Sequence, residues 1–276
     1  DQLTSAATFT KLMSILQKTY IICATLRSGS TLLCRFLENS GLAGHPSEFL
    51  LPSDDAEAEF DRNFPASGYD DYIKAQMVQF ASNNGVSGVK IMNNTWQTMM
   101  ARLQLLPKYA GCSEPAIITS LFQQVSFLFI TRQNKIRQAS SLSRAEQSAV
   151  WEKHSATKAS ENAQTHPQGK DLHPFYVKSA LKRVNIREQF WADFFHKNSI
   201  QPMEIAYEDL TENYQEIVPQ VLDFIGISYP KTLQITQNKL KKQSDFNTEF
   251  LIIYYHTYFL FYRYLHKQLF NRLRWL

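Results

Sequence analysis

Apolar residues gather in four short, largely continuous runs along the chain: Tyr20–Ala24 (YIICA), Val86–Met92 (VSGVKIM), Val125–Thr131 (VSFLFIT) and Met203–Tyr207 (MEIAY). Runs of this kind fit parallel strands covered on both faces, whereas a half-exposed strand would alternate. Helical spacing occupies the intervals, at Ser30–Ser40, Tyr69–Asn83, Thr95–Leu106, Lys135–Lys153, Tyr176–Asn198 and Tyr214–Ile225. Strands separated by helices predict βαβ crossovers, hence an α/β fold with a mostly parallel central sheet and helices on both faces. Ligands in such a fold bind at the carboxyl ends of the strands.

Two stretches break the pattern. Glu152–Pro174 is polar, contains Pro167 and Gly169, and reads as a long surface loop or lid, a length of loop that is often functional. Phe250–Tyr262 (FLIIYYHTYFLFY) carries no formal charge and is followed by Arg263, Lys267, Arg272 and Arg274. It falls short of the roughly 20 residues of a membrane span. As a helix it leaves a narrow polar stripe through His256, Arg263, Lys267 and Arg274. Packing against the domain, homodimer contact and contact with a membrane surface all stay open for it. The expected organisation is an N-terminal extension over 1–19, one domain over 20–245, and an aromatic, basic C-terminal helix over 246–276.

Composition narrows the function classes. A chain of 276 residues with 44% hydrophobic content can bury one large α/β core. Its net charge of +4 is dispersed among many acidic and basic residues, without the footprint of a nucleic-acid binder. Cys23, Cys34 and Cys112 have neither disulfide-framework nor metal-ligand spacing, which favours a reducing, cytoplasmic setting and no metal. Asp1–Lys18 does not read as a signal peptide.

The chemistry concentrates at two strand exits. After Tyr20–Ala24 come Arg27, Ser28, Gly29, Ser30 and Thr31, whose small residues let backbone N–H groups approach an anion while a helix begins near Ser30. The loop lacks the Gly-Lys pair of a Walker A motif. At the second exit, Phe129-Ile130-Thr131 leads into Arg132, with Ser140 on the helix beyond. Arginine suits a bidentate grip on phosphate, and a serine hydroxyl adds a donor. No Asp closes this strand to hold Mg²⁺, which argues against a kinase or NTPase.

These residues together resemble the bacterial trehalose sulfotransferase family. RSGSTLL at Arg27–Leu33 is similar to its 5′-phosphosulfate loop, and GLAGHPSEFL at Gly41–Leu50 to the segment with its catalytic glutamate. GVKIM at Gly88–Met92, ITRQNKIRQASSLSRAEQSAVW at Ile130–Trp151, YEDL at Tyr207–Leu210 and LKKQSD at Leu240–Asp245 resemble successive blocks. The resemblance implies a P-loop-like sulfotransferase fold and a metal-free enzyme that moves a sulfuryl group from 3′-phosphoadenosine 5′-phosphosulfate to a hydroxyl of a sugar, glycolipid or other glycoconjugate. Arg27–Thr31 then surround the 5′-phosphosulfate, with Arg27 also near the reacting group; Arg132 and Ser140 take the 3′-phosphate; Glu48 is the general base.

His45 is a rival base, because imidazole titrates near neutrality. Lys90 is a candidate for substrate or cofactor contact, against the bland reading of a lysine snorkelling from the sheet edge. Trp96 follows Asn93 and Asn94 at a strand exit and is the candidate stacking platform for a sugar, whereas Trp151 and Trp191 read as core. Lys239, Lys241 and Lys242 either approach the nucleotide or form a solvated charge run. Two rival functions remain: a kinase-like P-loop transferase, and a noncatalytic anion-binding module of the same fold.

Overall fold

The computed structural model describes residues 16–50, 68–122, 124–148 and 174–236, with 253, 254 and 257. Four strands pair in parallel in the order β2-β1-β3-β4: β1 (Lys18–Ala24), β2 (Val86–Met92), β3 (Val125–Thr131) and β4 (Met203–Ala206). The register sets Ile22 beside Lys90 and Leu128, and Thr131 beside Ala206. All residues of β2 and all but the first of β1 are buried, so both sheet faces are covered. The four apolar runs are these strands, with β1 beginning two residues earlier than the sequence pattern suggests and β4 ending one residue sooner.

Helices α1 (Ser30–Asn39), α2 (Tyr69–Gln79), α3 (Asn93–Gln104) and α4 (Glu114–Leu121) alternate with the first three strands. They are followed by α5 (Lys135–Ser148), α6 (Pro174–Lys197), α7 (Tyr207–Glu212) and α8 (Tyr214–Ile225). One face of the sheet, with Ile21, Cys23, Val89, Ile91, Phe127 and Phe129, meets α2, α3, α4 and the end of α6. On the other, α8 packs on β1 and α1, and Phe36 stacks on Tyr214 at 4.7 Å.

Sequence pattern missed α4 and α7. Helix α4 is capped by Ser113, whose Oγ accepts from Ala116 N, and Pro stands in its first turn. Helix α7 is too short for its periodicity to show, and Tyr207-Glu208-Asp209 forms its start. The segment Glu152–His173, Trp151, Lys239, Lys241, Lys242 and nearly all of the C-terminal helix lie outside the described residues. Ile253, Tyr254 and Thr257 are helical and exposed. Among the described residues no helix is long and apolar enough to cross a membrane.

The chain divides into two compact units, Asp1–Gln133 with Arg187–Asn238, and Asn134–Ile186 with Lys239–Leu276. The first holds the whole sheet. In the second, Asn134 Oδ1 accepts from Arg137 N to cap α5, and Arg183 Nη2 reaches Glu146 Oε2 at 2.6 Å between the first half of α6 and α5.

A buried carboxylate fastens α2. Asp70 lies in its first turn with no exposed surface; Lys108 Nζ approaches at 2.6 Å and Lys74 Nζ at 3.3 Å. Burial alone would raise the Asp70 carboxyl, but the hydrogen bond and charge of Lys108, together with Lys74, outweigh it and hold the group below its ordinary value. A folded value below the unfolded one means that the contribution is complete above the unfolded value of about 3.9 and is lost as pH falls through the folded one. Asp70→Asn should cost about 1.5–3 kcal/mol in urea melts at neutral pH. Its deficit relative to wild type should shrink below about pH 4; a deficit independent of pH would show that Asp70 is not ionised in the fold.

Candidate active site

The turn between β1 and α1 is built around Gly29, which caps α1 at φ 95° without any side-chain cap. That left-handed backbone suits glycine. Space demands it as well, because a Cβ there would lie 2.2 Å from Cδ2 of the Tyr207 ring. Arg27 is also left-handed, at φ 63°, an uncommon state for a side-chain-bearing residue that recurs at ligand loops. The first-turn N–H groups of α1, at Ser30 and Thr31, have no carbonyl one turn back. Ser28 beside them is fully buried, and its Oγ makes no hydrogen bond. A buried hydroxyl without a partner at the positive end of a helix is a feature that an anion's oxygen would satisfy.

Glu48 reaches the same place by a detour of the backbone. After α1 the chain passes Ala43, whose carbonyl accepts from the buried Tyr20 hydroxyl at 2.7 Å. His45 N then donates to Phe80 O at 2.9 Å, and Ser47 forms a one-residue parallel bridge with Val89. Lys90 N donates to Ser47 O at 3.0 Å, which seals the segment along the outer edge of β2. The carboxylate of Glu48 is thereby delivered to Lys90, with Oε1 2.7 Å from Nζ.

Lys90 joins the two halves of this arrangement. Its side chain is only 9% exposed, and its ammonium donates to Thr31 Oγ1 at 3.2 Å as well as pairing with Glu48. Lysine is almost never buried without a partner. Here the partners are the first turn of α1 and the candidate base. Cys34, also near this pair, is pushed up to about 12 by burial, with Lys90 lowering and Glu48 raising it by less. It is a neutral thiol and no nucleophile.

Arg132 leaves the end of β3, and its guanidinium carbon lies 4.6 Å from the centroid of the Tyr207 ring. In the second unit, Ser140 on α5 is buried, and its Oγ makes no hydrogen bond. The other candidates are placed differently. His45 Nδ1 pairs with Glu38 Oε1 at 2.9 Å, with both side chains about half exposed. Trp96, expected as a stacking platform, is a core residue with no exposed surface. Its faces and edges meet Phe127, Trp191 and Phe194, and its Nε1 donates to Glu114 Oε2 at 2.8 Å, so no face is left for a sugar. Asn93 and Asn94 open α3, and that helix turns Trp96 inward. Among the described residues no group of His, Cys, Asp and Glu is arranged to hold a metal.

Comparison with known proteins follows the same lines. Residues 19–256 match the model of the Stf0 sulphotransferase family. The chain belongs to this family. It is 31% identical over 238 residues to trehalose 2-sulfotransferase of Mycobacterium tuberculosis, covering 78% of this chain and 86% of that protein. The corresponding enzyme of Mycolicibacterium smegmatis is 26% identical over 233 residues, covering 75% and 84%. A looser likeness, too distant to bear on the site, is to the sulfotransferase domain from the curacin biosynthetic pathway, 19% identical with a TM-score of 0.41 over 84% of this chain and 82% of that one.

Sequence reasoning did not connect Lys90 with Glu48, or Tyr207 with Gly29. The first had a visible signal, since a lysine inside the apolar run VSGVKIM requires a counter-charge. A double-mutant cycle of Lys90→Met and Glu48→Gln should give a stability coupling of about 1–2 kcal/mol, at the lower end for a partly exposed pair. Coupling near zero in chemical denaturation would mean that the pair does not form in solution.

Proposed function

We propose that this sulfotransferase uses 3′-phosphoadenosine 5′-phosphosulfate as donor and a sugar hydroxyl as acceptor, with Glu48 as general base. The supporting observation is the single ammonium of Lys90 spanning Thr31 in the donor loop and Glu48 Oε1. That bridge holds a proton acceptor one side chain away from the helix end assigned to the phosphosulfate. The names of the two mycobacterial relatives make trehalose and similar disaccharides the first acceptors to try.

In-line transfer needs few parts. The acceptor oxygen attacks sulfur as Glu48 takes its proton; the bond from sulfur to the phosphate oxygen breaks, and the electron pair leaves with the 3′,5′-bisphosphate. Charge gathers on the sulfuryl oxygens and the leaving oxygen. N–H groups of the α1 first turn, the hydroxyls of Ser28, Ser30 and Thr31, and the Arg27 guanidinium are the donors assigned to stabilise it. Arg132 is assigned to the 3′-phosphate, and Ser140 is assigned to it on the resemblance of its sequence block alone. The sulfuryl group carries less charge than a terminal phosphoryl group, which suits a site built of backbone donors and one arginine.

Glu48→Gln keeps size and most hydrogen bonding but removes the proton acceptor. Turnover should fall by about 10²–10⁴-fold, the usual worth of general-base catalysis. Bisphosphate affinity, read by calorimetry, should stay near wild type. His45→Asn is the paired control and should remain active. An active Glu48→Gln beside an inactive His45→Asn would transfer the role of base to the imidazole.

A further inference from the structure

Tyr207 stands at the exit of β4, next to the exit of β3, because Ala206 pairs with Thr131 in the parallel ladder. From there its ring reaches past β3 to the exit of β1. The ring is so close to the turn that a Cβ on Gly29 would lie 2.2 Å from Cδ2, 3.0 Å from Cε2 and 3.1 Å from Cγ. The same ring carries the Arg132 guanidinium, with Cζ 4.6 Å from its centroid. The adjoining residue adds a second tie, since Glu208 Oε2 accepts from Gln133 N at 2.9 Å. Tyr207-Glu208 therefore grips Arg132-Gln133 by one ring face and one carboxylate, while the ring also abuts the donor loop.

We propose that Tyr207 is a positioning residue that sets the spacing between the 5′-phosphosulfate loop and the Arg132 guanidinium, and so selects donors that carry a 3′-phosphate. This deepens the donor assignment made above and rests on it. A guanidinium held over a ring face is restrained in position, and with it the place from which its N–H groups can meet phosphate oxygens. A flat side chain suits this position because its Cδ2 edge lies against Gly29, where no Cβ fits, while its face lies under the guanidinium. The ring performs this task; the hydroxyl does not.

The experiment compares affinities of adenosine 3′,5′-bisphosphate and adenosine 5′-monophosphate by calorimetry for wild type and variants. Wild type should prefer the bisphosphate. Tyr207→Leu should lower that preference by about tenfold, the scale of a cation–π contact together with lost alignment, while monophosphate affinity changes little. Tyr207→Phe should keep the full preference. In an Arg132→Ala background, Tyr207→Leu should produce no further drop. Should Tyr207→Leu fail to fold, Tyr207→Met refills the space without an aromatic face and carries the same test.

A purely structural role would weaken both nucleotides equally and leave the ratio unchanged, which overturns the proposal. Equal loss in Tyr207→Phe and Tyr207→Leu also overturns it, by assigning the effect to the hydroxyl. A wild-type protein without any preference for the 3′-phosphate overturns the donor assignment itself. That result is distinct from a preference that persists in Tyr207→Leu.

Discussion

A lysine on a buried strand has to be paired, and in this protein the pairing of Lys90 arranges the candidate active site. Its backbone lies within the ladder beside Ile22, so β2 fixes the root of the side chain. The ammonium collects the hydroxyl of Thr31 and the carboxylate of Glu48. One side chain thus connects a helix start to the carboxylate proposed as the base, some residues beyond the end of that helix. The cost of leaving such a charge unpaired, several kcal/mol, gives both partners reason to stay.

The backbone around that contact supports it at each step. Gly29 brings the turn against Tyr207, and the Tyr20 hydroxyl and the Ser47–Val89 bridge bring the return segment against β2. Parallel strands place Ala24, Met92, Thr131 and Ala206 at the carboxyl end of the sheet, and residues just beyond three of those ends supply the Arg27–Thr31 turn, Arg132 and Tyr207. Below them lies an aromatic core in which Trp96, Trp191, Phe127, Phe194 and Phe195 meet largely edge to face. Trp191 Nε1 donates to Ala24 O at 3.0 Å, so the core is fastened directly to the strand end from which the Arg27–Thr31 turn departs.

Local pattern carried much of the architecture. Largely apolar runs revealed the four described strands, most clearly β1 and β2, which are buried almost throughout, and Ser30, Lys135 and Tyr214 were legible as helix starts. The turn at Arg27–Thr31 was visible because small residues directly follow the β1 run, although an ordinary strand-to-helix turn has the same look. Contacts between distant segments were not legible in the same way. Nothing in the spacing of Glu48 and Lys90 announces a one-residue bridge at Ser47, and nothing local in YEDL says that its tyrosine lies on Gly29. Trp96 was misplaced for a related reason: its strand-exit position suggested the surface, whereas the first turn of α3 directs it into the core.

The most direct measurement of the central claim is product analysis. Purified protein, 3′-phosphoadenosine 5′-phosphosulfate labelled in sulfur and a panel of disaccharides headed by trehalose are incubated together, and the products are resolved by mass spectrometry. Transfer predicts a sulfated sugar with the label in it and one equivalent of 3′,5′-bisphosphate for each sugar sulfated. A donor that binds and stays intact with every acceptor and with a glycolipid extract, or a phosphorylated sugar formed from ATP in its place, would contradict the account.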